Sequence, residues 1–168
     1  MKKIWNEILT LLALAFLVAF SIPAFLPDIS SSTQAQIEII QWVCWFAFAL
    51  DLVAGVISAD SKKQYLNRHP LEIASVFLPF LRPLRLMRVI SFGSLAIQKI
   101  AIGRQFAITV KVAITAVFVA YISAVQITIS ERNVDGSNIK SFEDGLWWAV
   151  TTVTTVGYGD RFPTTTEG

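Results

Sequence analysis

The sequence is poor in charged residues. Aspartate, glutamate, lysine and arginine make up 15% of the 168 residues, whereas 54% are hydrophobic. A soluble domain keeps its surface free of large apolar patches, so this composition favours a protein that faces lipid. The basic residues are spread along the chain and the net charge is only +2, so nucleic acid is not an expected partner.

Cysteine and histidine occur once each, which limits the chemistry. Cys44 cannot form an internal disulfide and lies in an apolar stretch, so it indicates nothing about the redox compartment. His69 stands beside Pro70 in a basic loop, and the sequence has no nucleophile motif, metal-binding cluster or phosphate loop. We therefore expect neither an enzyme nor a bound cofactor.

Apolar stretches recur along the chain and predict membrane helices. They cover residues 4–25, 37–58, 71–80, 84–97 and 106–129. The first stops at Pro27-Asp28 and a polar serine run, and no cleavage motif follows it, so it is expected to stay as a membrane helix. The third is short for a span, and arginines interrupt the fourth.

The distribution of lysine and arginine predicts the orientation in the cell membrane. These residues collect at alternate connections, while the loops around Asp28 and over 131–144 are rich in acidic residues. Since positive charge favours the cytoplasmic side, the N-terminus is expected in the cytoplasm. The segment after Ile129 is then expected outside.

A short helix and a glycine-containing run form the last part of the chain. Ser141, with an acidic residue three positions on, predicts a helix over 142–153. Glycines at alternate positions in the run after it permit backbone angles that turn successive carbonyls toward one axis. Gly-x-Gly-Asp alone could be a plain turn. After an apolar helix and several spans, it predicts an ion-selectivity filter made of Thr155, Val156, Gly157, Tyr158, Gly159 and Asp160.

On these residues the chain resembles the voltage-gated potassium channel family, most closely over 142–160. The pentapeptide that starts at Thr155 is the established signature of potassium filters, so the match is one of pattern. The resemblance implies an all-α membrane protein. A four-helix, voltage-sensor-like domain would occupy residues 1–98, and a linker and pore domain with outer helix, re-entrant pore helix and filter would occupy 99–168.

The resemblance also implies roles for single residues in a homotetrameric pore. Potassium would be the permeant ligand, bound by the carbonyls of Thr155, Val156, Gly157 and Tyr158 and by the Thr155 hydroxyl. Trp147 would donate a hydrogen bond to Asp160, Trp148 would pack on Tyr158, and Phe162 would lie at the outer mouth. The tryptophan pair could instead be part of an interfacial aromatic belt.

Three arginines at every third position interrupt the fourth apolar stretch. Arg82, Arg85 and Arg88 would form a stripe on one helix, as in a voltage sensor, or else a snorkelling basic flank or fixed ion pairs. Pro83 disfavours helical geometry at Arg82, so we expect any voltage dependence to be weak. The candidate countercharges and charge-transfer residues, the latter by resemblance, are Glu38, Phe48, Asp51 and Glu72.

Members of the family continue after the filter with an inner helix, which these 168 residues do not include. The leading hypothesis is a potassium-selective, weakly voltage-dependent channel subunit. The alternative is a truncated, non-conducting fragment that assembles with full-length subunits and modifies them.

Overall fold

The computed structural model describes residues 2–59, 61–68, 70, 73, 104–166 and 168. Within these ranges the chain forms helices and no strands. The helices are α1 (Lys2–Phe25), α2 (Ser31–Ser58), α3 (Lys62–Arg68), α4 (Arg104–Glu131) and α5 (Phe142–Val153). By length and composition, α1, α2 and α4 could each cross a membrane. The predicted all-α, multi-pass membrane fold is thus confirmed.

α2 begins earlier than predicted, and α3 was not predicted. α2 begins at Ser31 and not at Ile37, because the hydroxyl of Ser30 accepts a hydrogen bond from the backbone N–H of Thr33 at 3.3 Å and caps the helix. α1 ends at Phe25, before the serine run, as expected, and the same run also starts α2. α3 lies in the polar connection that was expected between residues 60 and 69.

The chain divides into two compact units. The first contains the described residues of 1–19 and 30–92, and the second contains those of 20–29 and 93–168. The domain boundary expected at residue 98 lies outside the described residues, as do the stretches over 71–80, apart from Ile73, and over 84–97. That boundary stays a prediction.

In the first unit, α1 and the middle of α2 pack together. Leu9, Ala13 and Phe16 of α1 and Phe48 of α2 are buried. The thiol of Cys44, also buried, lies 3.5 Å from the carbonyl oxygen of Leu12. Cys44 is thus a small buried side chain within its apolar stretch.

The second unit joins the end of α1 to α4 and α5. The phenol of Tyr121 donates to the hydroxyl of Ser21 at 2.8 Å, and the rings of Phe25 and Phe142 lie 4.4 Å apart. The guanidinium of Arg132 donates to the carbonyl of Pro23 at 2.8 Å and to that of Ala24. Because carbonyls in the last turn of a helix have no partner inside it, Arg132 caps α1.

Small residues bring α4 and α5 into close contact. Ala120, Ala124 and Ala149 are buried together, with Phe142 and Trp148 packed against them. A Cβ at Gly145 would lie only 2.3 Å from the hydroxyl of Thr128 and 2.7 Å from the carbonyl of Ala124. The approach of the two helices therefore requires a residue without a side chain at position 145.

We expect Gly145→Ala to destabilise the protein. In a free helix this change would stabilise by about 1 kcal/mol, but here the added methyl group must push α5 away from α4, which costs about 1–3 kcal/mol. Thermal unfolding followed by circular dichroism in detergent should show a lower Tm. Adding Thr128→Ala removes the nearest clashing atom and should restore part of the loss. A Tm at or above that of the parent would contradict this packing.

Candidate functional site

The helix before the filter has the cap that the sequence predicted. The hydroxyl of Ser141 accepts from the backbone N–H of Asp144 at 3.3 Å, and the Asp144 carboxylate accepts from the N–H of Ser141 at 3.1 Å. This capping box satisfies two of the N–H groups that a helix start leaves unpaired. α5 ends at Val153. Its C-terminal end, which carries the negative end of the helix dipole, is therefore next to the predicted filter, residues 155–160, called the filter segment below.

The backbone of the filter segment alternates in handedness. Thr155, Gly157 and Gly159 have φ values of 61°, 55° and 74°, whereas the residues between them have negative φ. A β-branched residue at positive φ is a strained outlier, and such strain concentrates at functional sites. A Cβ at Gly157 or Gly159 would meet no atom within 4 Å. Glycine is therefore favoured at these two positions by the positive φ angle, and not by a lack of space for a side chain.

The alternation leaves a run of carbonyl groups without donors. The carbonyl of Thr151 accepts the N–H groups of Val156 and Gly157 at 2.9 and 3.0 Å. Within the described part of the chain, no hydrogen bond reaches the carbonyls of residues 155–158, and residues 152–160 are exposed. Backbone carbonyls need a partner, so these four acceptors are available to a ligand such as a desolvated cation.

Trp147 holds the outer end of this segment by two contacts. Its indole N–H lies 3.1 and 2.9 Å from the two carboxylate oxygens of Asp160, the hydrogen bond that the resemblance implies. Its ring also stacks on Tyr158, with centroids 5.6 Å apart and planes 4° apart. Within one chain it is thus Trp147 that stacks on Tyr158. The neighbouring Trp148 points to α4, where it packs on the alanine cluster, since adjacent helix residues face different directions.

An ion pair joins the start of α5 to the residue after the filter. The guanidinium of Arg161 lies 2.9 Å from the Asp144 carboxylate. Burial would raise the pKa of Asp144, but the hydrogen bond from Arg161, those from the N–H groups of Lys140 and Ser141, and the charge of Arg161 together lower it. Sequence reasoning missed this pair, because the two residues are 17 positions apart.

Glu131, the last residue of α4, is a second feature that the sequence did not reveal. Its side chain is completely buried. One carboxylate oxygen accepts the N–H groups of Thr164 and Thr165 at 2.9 and 2.8 Å and the Thr165 hydroxyl at 2.7 Å, and the other accepts the Thr164 hydroxyl. A buried charge needs such partners. Glu131 therefore fixes the chain that leaves the filter, and no local pattern links positions so far apart.

The structure describes only part of the predicted sensor residues. Phe48 is buried in the first unit and Glu38 is exposed. The Asp51 carboxylate accepts a hydrogen bond from the indole of Trp5 at 2.7 Å, a partner that the sequence did not suggest. The remaining predicted members lie outside the described residues: Glu72, Arg82, Arg85 and Arg88. Whether Asp51 meets an arginine therefore stays a prediction.

Comparison with known proteins agrees with this site. A family model described as ion channel matches residues 114–168, which include most of α4, all of α5 and the filter segment. The part of the chain that carries the site is thus similar to ion channels. No solved structure matches the chain significantly.

Similar curated proteins include voltage-gated potassium channels and a regulatory subunit of such channels. The human potassium voltage-gated channel subfamily A member 10 is 62% identical over 32 residues, which are 19% of this chain and 6% of that protein. The voltage-gated potassium channel of Aeropyrum pernix is 56% identical over 45 residues, 27% of this chain and 15% of that protein. The human voltage-gated potassium channel regulatory subunit KCNG1 is 26% identical over 142 residues, 80% of this chain and 27% of that protein.

The matched regions thus span less than a third of the length of each of these relatives. The resemblance drawn from the filter motif is confirmed: the chain is similar to voltage-gated potassium channels.

Loss of the Asp144 carboxylate should destabilise the second unit in a pH-dependent way. Because folding lowers the pKa of Asp144 below its ordinary value of 3.8, its contribution is complete above that value and is lost as pH falls through the lower folded pKa. We expect Asp144→Asn to cost about 1–2 kcal/mol at pH 7, because it weakens hydrogen bonds to a charged group, and to cost less as the pH falls below 3.8. The measurement is the Tm difference from the parent at pH 7 and pH 3.

The control for this variant is Asp135→Asn, at an exposed position of the loop before α5. It should leave the Tm nearly unchanged at both pH values. A deficit of Asp144→Asn that is the same at pH 3 and pH 7 would show that the ion pair and the cap do not depend on the ionised carboxylate.

Proposed function

We propose that the chain is a subunit of a tetrameric, potassium-selective channel, and that residues 155–159 form its filter. The observation that carries the proposal is the run of alternately handed residues, of which the first four carbonyls accept no hydrogen bond from the described chain. A cation that enters the membrane must exchange its water shell for other oxygen ligands at little net cost. Rings of such carbonyls offer that exchange.

Neighbouring residues of the same chain would assist the ion. The Thr155 hydroxyl adds a ligand beside the carbonyls, and the C-terminal end of α5 carries a partial negative charge that favours a cation. Trp147 holds Tyr158 and Asp160 from behind, which limits how far the carbonyls can close on a smaller ion. Water would be excluded from the carbonyls by the ion itself and by neighbouring subunits.

A single chain supplies one wall of such a pore, so the proposal requires further copies. Irregular backbone at membrane depth is tolerated only where protein or a water-filled cavity shields it. In one chain, large apolar side chains of α5 and the filter are exposed: Leu146, Trp147, Val150, Val153, Val156 and Tyr158. Four copies around one axis would cover these side chains. We place the N-terminus in the cytoplasm, from the distribution of lysine and arginine.

Weak voltage dependence is part of the same proposal. Arg85 and Arg88 would carry charge through the field, and Asp51, below the buried Phe48, would receive it. Each charge that crosses the whole field contributes about 2.3 kcal/mol per 100 mV, so two arginines in each of four subunits give at most about 18 kcal/mol per 100 mV.

A second candidate function is the modification of other channel subunits. It is favoured by the match to a regulatory subunit over 80% of this chain. Such a subunit would carry no potassium by itself and would change the current of a co-expressed voltage-gated potassium channel. Flux through liposomes that contain this chain alone separates the two functions, because only the first predicts potassium flux there.

The filter assignment is tested by Gly157→Ala. Alanine at positive φ costs about 1 kcal/mol or more, and we expect the strained residue to turn its carbonyl away from the ion. Potassium flux into liposomes should fall at least tenfold, or potassium should lose its preference over sodium. The matched control is Gly136→Ala, since Gly136 also has positive φ, 81°, and also has open space at its Cβ, but lies in the loop before α5. Equal flux and selectivity in the two variants would contradict the assignment.

Voltage sensing is tested by replacing Arg85 and Arg88 with glutamine. If both arginines move through the field, the conductance–voltage curve should become shallower, because less charge is coupled to opening. Lys63→Gln in α3 serves as the control for a lost positive charge at an exposed position. A parallel shift of the curve with unchanged slope would indicate fixed ion pairs instead.

A further inference from the structure

Asn138, in the loop between α4 and α5, holds the backbone just after the filter with both ends of its side-chain amide. Its Nδ2 donates to the carbonyl of Asp160 at 2.9 Å, and its Oδ1 accepts from the backbone N–H of Phe162 at 3.2 Å. Only one orientation of the amide satisfies both, since a carbonyl can only accept and an N–H can only donate. The two bonded groups flank Arg161, and the one amide bridges them.

The loop that carries Asn138 is itself held firmly. The neighbouring Ile139 is completely buried and Ser137 is nearly so, and the hydroxyl of Ser137 accepts from the N–H of Ile139 at 3.2 Å. The ammonium group of Lys140 donates to the carbonyls of Arg132 and Val134 at 3.2 and 2.7 Å. A side chain anchored on both flanks loses little further freedom when it binds.

We infer that Asn138 is a positioning residue of the filter, one that ties the loop 132–140 to the filter exit and keeps the outermost carbonyls directed at the ion. This inference rests on the proposed function. Trp147 contacts the side chains of Tyr158 and Asp160, and the guanidinium of Arg161 bonds both to Asp144 and, at 3.2 Å, to the carbonyl of Asp160. Asn138 adds a restraint of another kind, because it bonds to the backbone on both sides of Arg161.

The clamp should matter most when few ions occupy the filter. A bound cation stabilises the arrangement of carbonyls that binds it, by mass action. Without external potassium, the carbonyls of the outer filter repel one another with no ion between them, and the protein contacts alone must hold them. Loss of Asn138 should therefore raise the external potassium concentration that is needed to keep the filter open, whereas a merely structural residue would lower stability at every potassium concentration alike.

The test compares three variants with the parent chain in lipid nanodiscs and liposomes. Asn138→Leu keeps the size of the side chain and removes both hydrogen bonds. Asn138→Asp keeps an acceptor for the N–H of Phe162 and replaces the donor to Asp160 by a repelling oxygen. Asn133→Leu makes the same change at an exposed position of the same loop and is the control.

Hydrogen exchange tests the clamp directly. We expect the backbone amide of Phe162 to exchange about three- to tenfold faster in Asn138→Leu, the effect of losing one net hydrogen bond, and to stay within about twofold of the parent in Asn138→Asp and Asn133→Leu. An unchanged exchange rate of Phe162 in Asn138→Leu would overturn the inference. This measurement needs no conduction, so it decides about the clamp even if the parent carries no potassium, a result that would defeat the proposed function instead.

Potassium flux tests the consequence. In Asn138→Leu and Asn138→Asp, the external potassium concentration that gives half of the maximal flux should rise about three- to tenfold, while Asn133→Leu follows the parent. If Asn138→Leu does not fold, as judged by helix content, Asn138→Asp decides. If the parent conducts and Asn138→Asp reaches half-maximal flux at the same external potassium concentration as the parent, the inference is overturned.

Discussion

The filter segment depends on one constraint: backbone carbonyls that receive no donor from the protein must find another partner. Residues 155–158 present such carbonyls, and positive φ at Thr155, Gly157 and Gly159 makes their common direction possible. This conformation is strained at a threonine, and the segment has no helix or sheet of its own to maintain it. The surrounding residues therefore have to impose it, and in the proposed function a bound cation would complete it.

The described contacts supply this restraint from several directions. α5 enters with a capping box at Ser141 and is held close to α4 by the absence of a side chain at Gly145. Beyond the filter, Trp147 fixes Tyr158 and Asp160, Asn138 fixes the backbone on both sides of Arg161, and Asp144 fixes the Arg161 side chain. Further along the chain, Glu131 accepts hydrogen bonds from Thr164 and Thr165. The contacts of Trp147, Asn138, Asp144 and Glu131 join the exit of the filter to α5, to the loop 132–140 and to the end of α4, so these elements restrain the filter segment from outside.

The parts of the site that the sequence predicted are those with local signals. Ser141 and Asp144, only three positions apart, predict the start of α5. The glycine pattern after Thr155 is also local, so it can be recognised from the sequence alone. The contacts of Glu131 with Thr164 and of Asn138 with Phe162 join positions 33 and 24 residues apart, and only the folded chain brings them together. Trp147 and Trp148 are adjacent and chemically equal, so the sequence could not tell which indole faces Tyr158. For α2 the local signal was present, but a serine can either break or cap a helix.

The most direct measurement is the response of the filter carbonyls to potassium and sodium. With the protein labelled by carbon-13 at its backbone carbonyls, sodium is replaced by potassium at constant ionic strength, and the carbonyl chemical shifts are recorded. We expect the carbonyls of Thr155, Val156, Gly157 and Tyr158 to shift with potassium, while that of Thr151, already bonded to two N–H groups, stays in place. Identical spectra in the two salts, or equal shifts at Thr151 and at the four filter carbonyls, would contradict the assignment of these residues as a potassium filter.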